Sequence, residues 1–133
     1  MNVAVSDKDP LVTAITKWIP IEVIAFYEGI TAPFGNDLAK GLGYAIGAGF
    51  VGTFLWIAFA TEDAKARSHI AWRQVVLSCL GFLFWVVGTT SPDLWRLAVG
   101  AWHPAVNPAA LATGAFVLPI ADGLMRRMGV PQD

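Results

Sequence analysis

Charge is what this chain has least of. Asp, Glu, Lys and Arg make up only 14% of its 133 residues, against roughly 25% in an ordinary soluble domain, so there is too little charge to coat a water-facing surface. The net charge of −1 excludes the basic field that a nucleic-acid-binding protein needs. The single cysteine, Cys79, can neither close an intrachain disulfide nor supply a thiolate metal site. His69 and His103 stand far apart, and no cluster of His with Asp or Glu occurs at ligand spacing. GxSxG, HExxH and paired-cysteine motifs are also missing. No metal, cofactor or enzymatic activity is therefore expected. Residues 1–9 lack the positive start and small-residue cleavage site of a signal peptide, so the first apolar segment is expected to be retained.

What is abundant is apolar sequence. Hydrophobic residues form 56% of the chain and the mean hydropathy is +0.57, which points to a lipid bilayer as solvent. Residues 41–60 carry no charge, matching a helix that crosses a hydrocarbon core about 30 Å thick. Residues 74–92 form a second charge-free run, whose helix is expected to begin nearer Ile70 with Arg73 snorkelling to the interface. Residues 97–121 form a third, interrupted by His103-Pro104 and Asn107-Pro108. Ser91-Pro92-Asp93 is a helix-start signal: a capping hydroxyl, a proline at the first helical position and an acid in the first turn. The aromatic stripe that follows, Trp95 and Trp102 among it, suits a short helix lying in the interface. Asn107-Pro108 repeats the start signal, and Pro119 is expected to bend the helix behind it.

The expectation is a single all-α domain over residues 1–133: four transmembrane helices at about 11–31, 41–61, 70–90 and 108–127, with an interfacial helix at about 92–103. Long runs without two-residue alternation exclude strands. Lys8, Lys65, Arg67, Arg73, Arg126 and Arg127 fall on one side of this topology, Lys40 and Arg96 on the other. The positive-inside rule then places both termini in the cytoplasm, in a cell (inner) membrane. The bilayer itself, further copies of the chain and other membrane subunits are the expected partners. The charged loop 61–69 reads as solvated.

Two features bear on function. The second span is dense in small residues: Gly41, Gly43, Ala45, Gly47, Gly49 and Gly52 form a helix-association face, because helix backbones can approach closely where side chains are small. That face can serve a helix of the same chain or one of another subunit. The first span carries Glu22 in an apolar run, and a carboxylate at bilayer depth costs about 2.5–3.5 kcal/mol on insertion scales. Lys17 projects roughly 140° away from it on a continuous helix, so no internal salt bridge explains it. Glu22, Tyr27 and Glu28 are the candidate pathway or proton/ion residues; Tyr27, Tyr44, Thr53, Ser78, Thr89 and Asn107 are the available hydrogen-bonding groups. A competing arrangement starts the true span at Pro20, which makes Glu22 a first-turn acid near the surface and shifts the question to Glu28.

Glu22-Val23-Ile24 in the first span and Gly41-Leu42-Gly43-Tyr44-Ala45-Ile46 in the second resemble segments of the small multidrug transporters, short chains of four membrane helices with one essential glutamate in the first. The resemblance covers those two segments. The small-residue pattern stands here in the second span rather than the third, and the tryptophan of their binding chamber has no counterpart. It implies a small proton-coupled transporter with Glu22 as the essential carboxylate. The residues themselves favour a homo-oligomeric protein forming an ion or small-molecule pathway, with a ring of carboxylates selecting cations. A third possibility is a non-transporting subunit or assembly partner of a larger complex.

Overall fold

The computed structural model describes residues 10–66 and 69–130, which are mostly helical and contain no strand. Lys8, Arg67 and the segment 1–9 lie outside these residues. The helices are α1 (Pro10–Thr16), α2 (Ile21–Thr31), α3 (Leu38–Leu55), α4 (Glu62–Ala66), α5 (Trp72–Thr89), α6 (Pro92–Val99) and α7 (Val106–Arg127). Three of them are long and apolar enough to cross a membrane: α3 with its extension to Ala60, α5 and α7.

The first expected span is not one helix. α1 ends in a turn in which the Trp18 and Ile19 amides donate to the Ile15 and Thr16 carbonyls, both at 3.0 Å. Pro20 follows with φ −58° and ψ 135°. It has no N–H to continue the ladder, and its ring disfavours helical geometry at the preceding residue. The Pro20 carbonyl instead accepts from Val23 and opens α2, and the two helix axes differ by 112°. Counted as one span, the bent pair gives four candidate spans; as a re-entrant loop, it leaves three. α1 is held in the bundle by Val12 and Ile15, both buried.

α5 is the central helix. Phe82, Trp85 and Val86 meet Ile15 and Ile19 from the first segment, Val23 and Tyr27 from α2, Leu42 from α3, Trp95 from α6 and Leu111 from α7. α5 and α7 share the largest interface, and glycine makes it possible: a methyl at Gly88 would collide with Leu111, and one at Gly114 with Phe84 and Ile15. Pro119 sits inside α7 without ending it.

α3 runs into a wider π turn, Trp56–Ala60, closed by the Thr61 amide donating to the Trp56 carbonyl at 3.2 Å. Thr61 then caps α4, its Oγ1 accepting from the Ala64 amide at 3.0 Å.

The short helix after residue 91 forms as its local signal dictates. Ser91 Oγ accepts from the Leu94 amide at 3.2 Å, Pro92 occupies the first turn, and Gly100 ends the helix at φ 87°, a left-handed conformation that glycine adopts without strain. The second start signal is read differently. α7 begins at Val106, and Asn107 lies inside its first turn rather than at its cap. The Asn107 side chain is fully buried and serves α5 instead. Its Nδ2 donates to the carbonyls of Thr90 at 2.6 Å and Val87 at 3.2 Å, while its Oδ1 accepts from Trp102 Nε1 at 2.8 Å. One amide thus satisfies carbonyls that the end of α5 leaves unpaired. Trp102 in turn stacks on Trp95 at 4.6 Å between ring centroids.

Candidate functional site

The break at Pro20 rearranges the charged groups of the first segment. Lys17 and Glu22, which a continuous helix would point apart, both line one recess of about 520 Å³ between the Pro20 bend, the π turn and α5. Trp56, Glu62, Lys65, Gln74 and Ser78 complete its wall. Glu22 is exposed and stands in the first turn of α2, directly after the Pro20 break, rather than in the middle of a helix. Glu62 pairs with Lys65 at 3.5 Å. Lys17 Nζ lies 5.9 Å from the Trp18 ring centroid. A second recess of about 250 Å³ shares Lys17, Trp18, Gln74 and Ser78 with the first and adds Leu77, Asp122 and Arg126.

Beside it lies a group that the sequence did not reveal. Arg73, expected to reach outward, is buried in the first turn of α5 instead, its Nε 3.5 Å from Oδ1 of Asp122 on α7. Asp122 also binds Arg126 through Oδ2 at 3.2 Å, the pairing its four-residue spacing predicts. The one signal available was the apolar context of Arg73; its partner is too distant in sequence to be read.

Tyr27 and Glu28 stand at the opposite end of the seam between α2 and α5. They line a recess of about 380 Å³ with Thr31, Leu38, Trp85, Thr89, Thr90 and Ser91 among its other residues. Tyr27 is buried at 6% exposure, with its ring edge-on to Phe82 and Trp85 at 5.3 and 5.7 Å between centroids. Its hydroxyl is buried and has no hydrogen-bond partner among the described residues. Between the two ends the seam is closed by Val23, Tyr27, Phe82 and Trp85, all buried.

The other hydrogen-bonding groups are committed or turned away. Thr53 and Thr89 donate to backbone carbonyls one turn back, Gly49 at 2.7 Å and Trp85 at 2.6 Å. Tyr44 projects outward at 87% exposure. Ser78 alone of them joins Glu22, at the wall of its recess.

The small-residue face of α3 is divided. Gly49 packs on the Phe82 ring of α5, and Gly52 lies beside Phe26 of α2; Ala45 packs against the core. Gly41, Gly43 and Gly47 have no atom within 4 Å of where a Cβ would stand. Part of the face thus serves helices of this chain and part is open. Among the described residues no group of three or more His, Cys, Asp or Glu could hold a metal ion.

No known protein family, curated protein or solved structure matches this chain. The likeness to small multidrug transporters therefore rests on the residues that suggest it.

Proposed function

We propose that this chain is the subunit of a small homo-oligomeric membrane protein that forms an ion or small-molecule pathway along the seam between α2 and α5. One observation carries this reading. Two recesses open at opposite ends of that seam, each lined by one carboxylate of α2, Glu22 in the first and Glu28 in the second. The carboxylates are six residues apart, about 9 Å along the helix axis, and the buried Tyr27, Phe82 and Trp85 close the space between them. Acids in pathway mouths raise the local concentration of cations. In this reading the structure is a closed state, the chain is not an enzyme, and it sits in the inner membrane with both termini cytoplasmic, the bent α1–α2 pair counting as one span.

Purified protein in liposomes tests this by flux of monovalent cations against a dye-reported gradient. Flux is expected, and Glu22→Gln is expected to reduce it by about tenfold, the scale of one lost charge interaction. Flux that is absent in the parent protein, or unchanged in both Glu22→Gln and Glu28→Gln, would sink the proposal.

A second reading, a non-transporting assembly subunit, is favoured by the open part of α3. At Gly43 and Gly47 nothing else packs within 4 Å of where a Cβ would stand, as expected of a surface that another helix covers. Absence of flux together with stable copurification of a second membrane protein supports it.

A further inference from the structure

We propose that the recess at the C-terminal end of α2 and α5 binds a primary ammonium group, carried either by a free alkylamine or by an aminolipid headgroup. The inference shares its recess with the pathway proposed above but does not depend on transport.

The lining of about 380 Å³ includes Glu28 and no Lys, Arg or His. The Glu28 carboxylate forms no ion pair or hydrogen bond among the described residues, so none of them compensates it. The hydroxyl protons of Thr31 and Thr89 go to the carbonyls of Tyr27 and Trp85, at 2.7 and 2.6 Å, which leaves both oxygens as acceptors toward the recess. Tyr27 supplies the independent observation. It is 6% exposed and lines the recess, and its Oη is buried without a partner. A buried hydroxyl left unsatisfied is disfavoured. Oη exposes less than 1 Å² of surface, so a small turn of the ring is the step that lets an occupant with hydrogen-bonding protons reach it.

These groups select among cations. One carboxylate and neutral oxygens suit a monovalent charge, whereas divalent ions recruit several carboxylates. The volume lies within the range of organic ligands and exceeds what a bare ion fills. Tyr27 and Trp85 offer aromatic rings of the kind that attract cations. A set of oxygen acceptors favours an ammonium with N–H donors over a quaternary one, which has none.

The test uses the full chain in phosphatidylcholine nanodiscs and measures butylammonium binding by equilibrium dialysis. Saturable binding is expected. Glu28→Gln should weaken it about tenfold and Tyr27→Phe about threefold, in line with the loss of a charge-assisted and of a neutral hydrogen bond. Neither the Glu28 carboxylate nor the Tyr27 hydroxyl has a polar partner among the described residues, and phenylalanine keeps the ring against Phe82 and Trp85, so neither variant should lower the parent's thermal stability. Tetramethylammonium should bind about tenfold more weakly than butylammonium. Replacing phosphatidylcholine by phosphatidylethanolamine separates the two sources: competition with butylammonium identifies the lipid headgroup, and unchanged binding a free amine. Lack of saturable binding, an unaltered affinity in Glu28→Gln, or equal affinity for tetramethylammonium would overturn the proposal. Binding without flux would remove the pathway and keep this site; flux without binding would do the reverse.

Discussion

α3 and α5 are the same length, 18 residues each, and both are apolar, yet they occupy opposite situations. In α5, 56% of the residues in its membrane-length window are buried; in α3 with its extension the share is 28%. Both helices carry glycines. In α5 these receive neighbouring side chains: Leu111 covers Gly88, and Trp18, Ile19 and Leu118 lie against Gly81. In α3, Gly49 performs that role for Phe82, while Gly43 and Gly47 face open space. Hydrophobicity in a membrane helix states only that the surroundings are apolar. Whether those surroundings are protein or lipid is decided by which side chains arrive from elsewhere, since lipid tails are as apolar as leucine.

The sharpest test of this contrast is the charge that the inner helix buries. Arg73→Ala should destabilise the fold by about 3–5 kcal/mol, because Asp122 is left inside the bundle with a weakened counter-charge. Thermal unfolding in detergent, followed by circular dichroism, measures it. Arg73→Met combined with Asp122→Leu should recover much of the loss, since an apolar pair of similar size removes the desolvation cost as well. The exposed pair on α6, Asp93 with Arg96 at 2.7 Å, is the control. Asp93→Ala should cost at most about 1 kcal/mol despite the shorter distance, because solvent screens it. Equal losses at the two sites would break the distinction between the charge buried by the inner helix and a charge pair left in the open.

Next in size is a side chain inserted at the α5–α7 contact. Gly88→Leu forces a branched side chain onto Leu111 and should cost about 1–3 kcal/mol, the usual range for overpacking, read from the same melts. A truncation in place of the insertion, Leu111→Ala, should cost about 2–5 kcal/mol by leaving a cavity. If Gly88→Leu were tolerated without loss, the two helices would not approach as closely as their glycines allow.

The parts of this architecture that could be read in the sequence are those set by local chemistry. The charge-free runs stand as α3, α5 and α7, because twenty apolar residues have few ways to bury themselves other than as a membrane-length helix. Ser91-Pro92-Asp93 forms the expected cap because its atoms are all within one turn. Pro20 broke the first span for the same reason, and the arrangement beginning there was legible as an alternative. What was hidden depends on partners distant in sequence. Asn107 carried a cap signal and lies in a first turn, but its amide is drawn to the carbonyls at the end of α5, which no local rule anticipates. Arg73 reads locally as a snorkelling residue because nothing in its own segment places Asp122 beside it. A straight helix points Glu22 and Lys17 to different sides, and a 112° bend brings both onto one recess. The division of the α3 glycines into inner and open sets was equally out of reach, since small residues mark a close approach without naming the neighbour.

The smallest expected effect is also the one that best separates a solitary subunit from an assembled one. Gly43→Leu adds a side chain where no atom lies within 4 Å, so the isolated chain should change by no more than about 0.5 kcal/mol, as surface substitutions usually do. Tyr44, next to it and 87% exposed, should behave alike when changed to alanine. If copies pack through this face, the same Gly43→Leu change blocks the close approach that the glycines permit. It would then shift the distribution of species in nanodiscs toward monomer while leaving the melt of the monomer intact. Sedimentation of parent and variant, side by side, reads the two quantities separately. A variant that sediments as the parent does would place the contact elsewhere on the molecule and return the open glycines of α3 to the lipid.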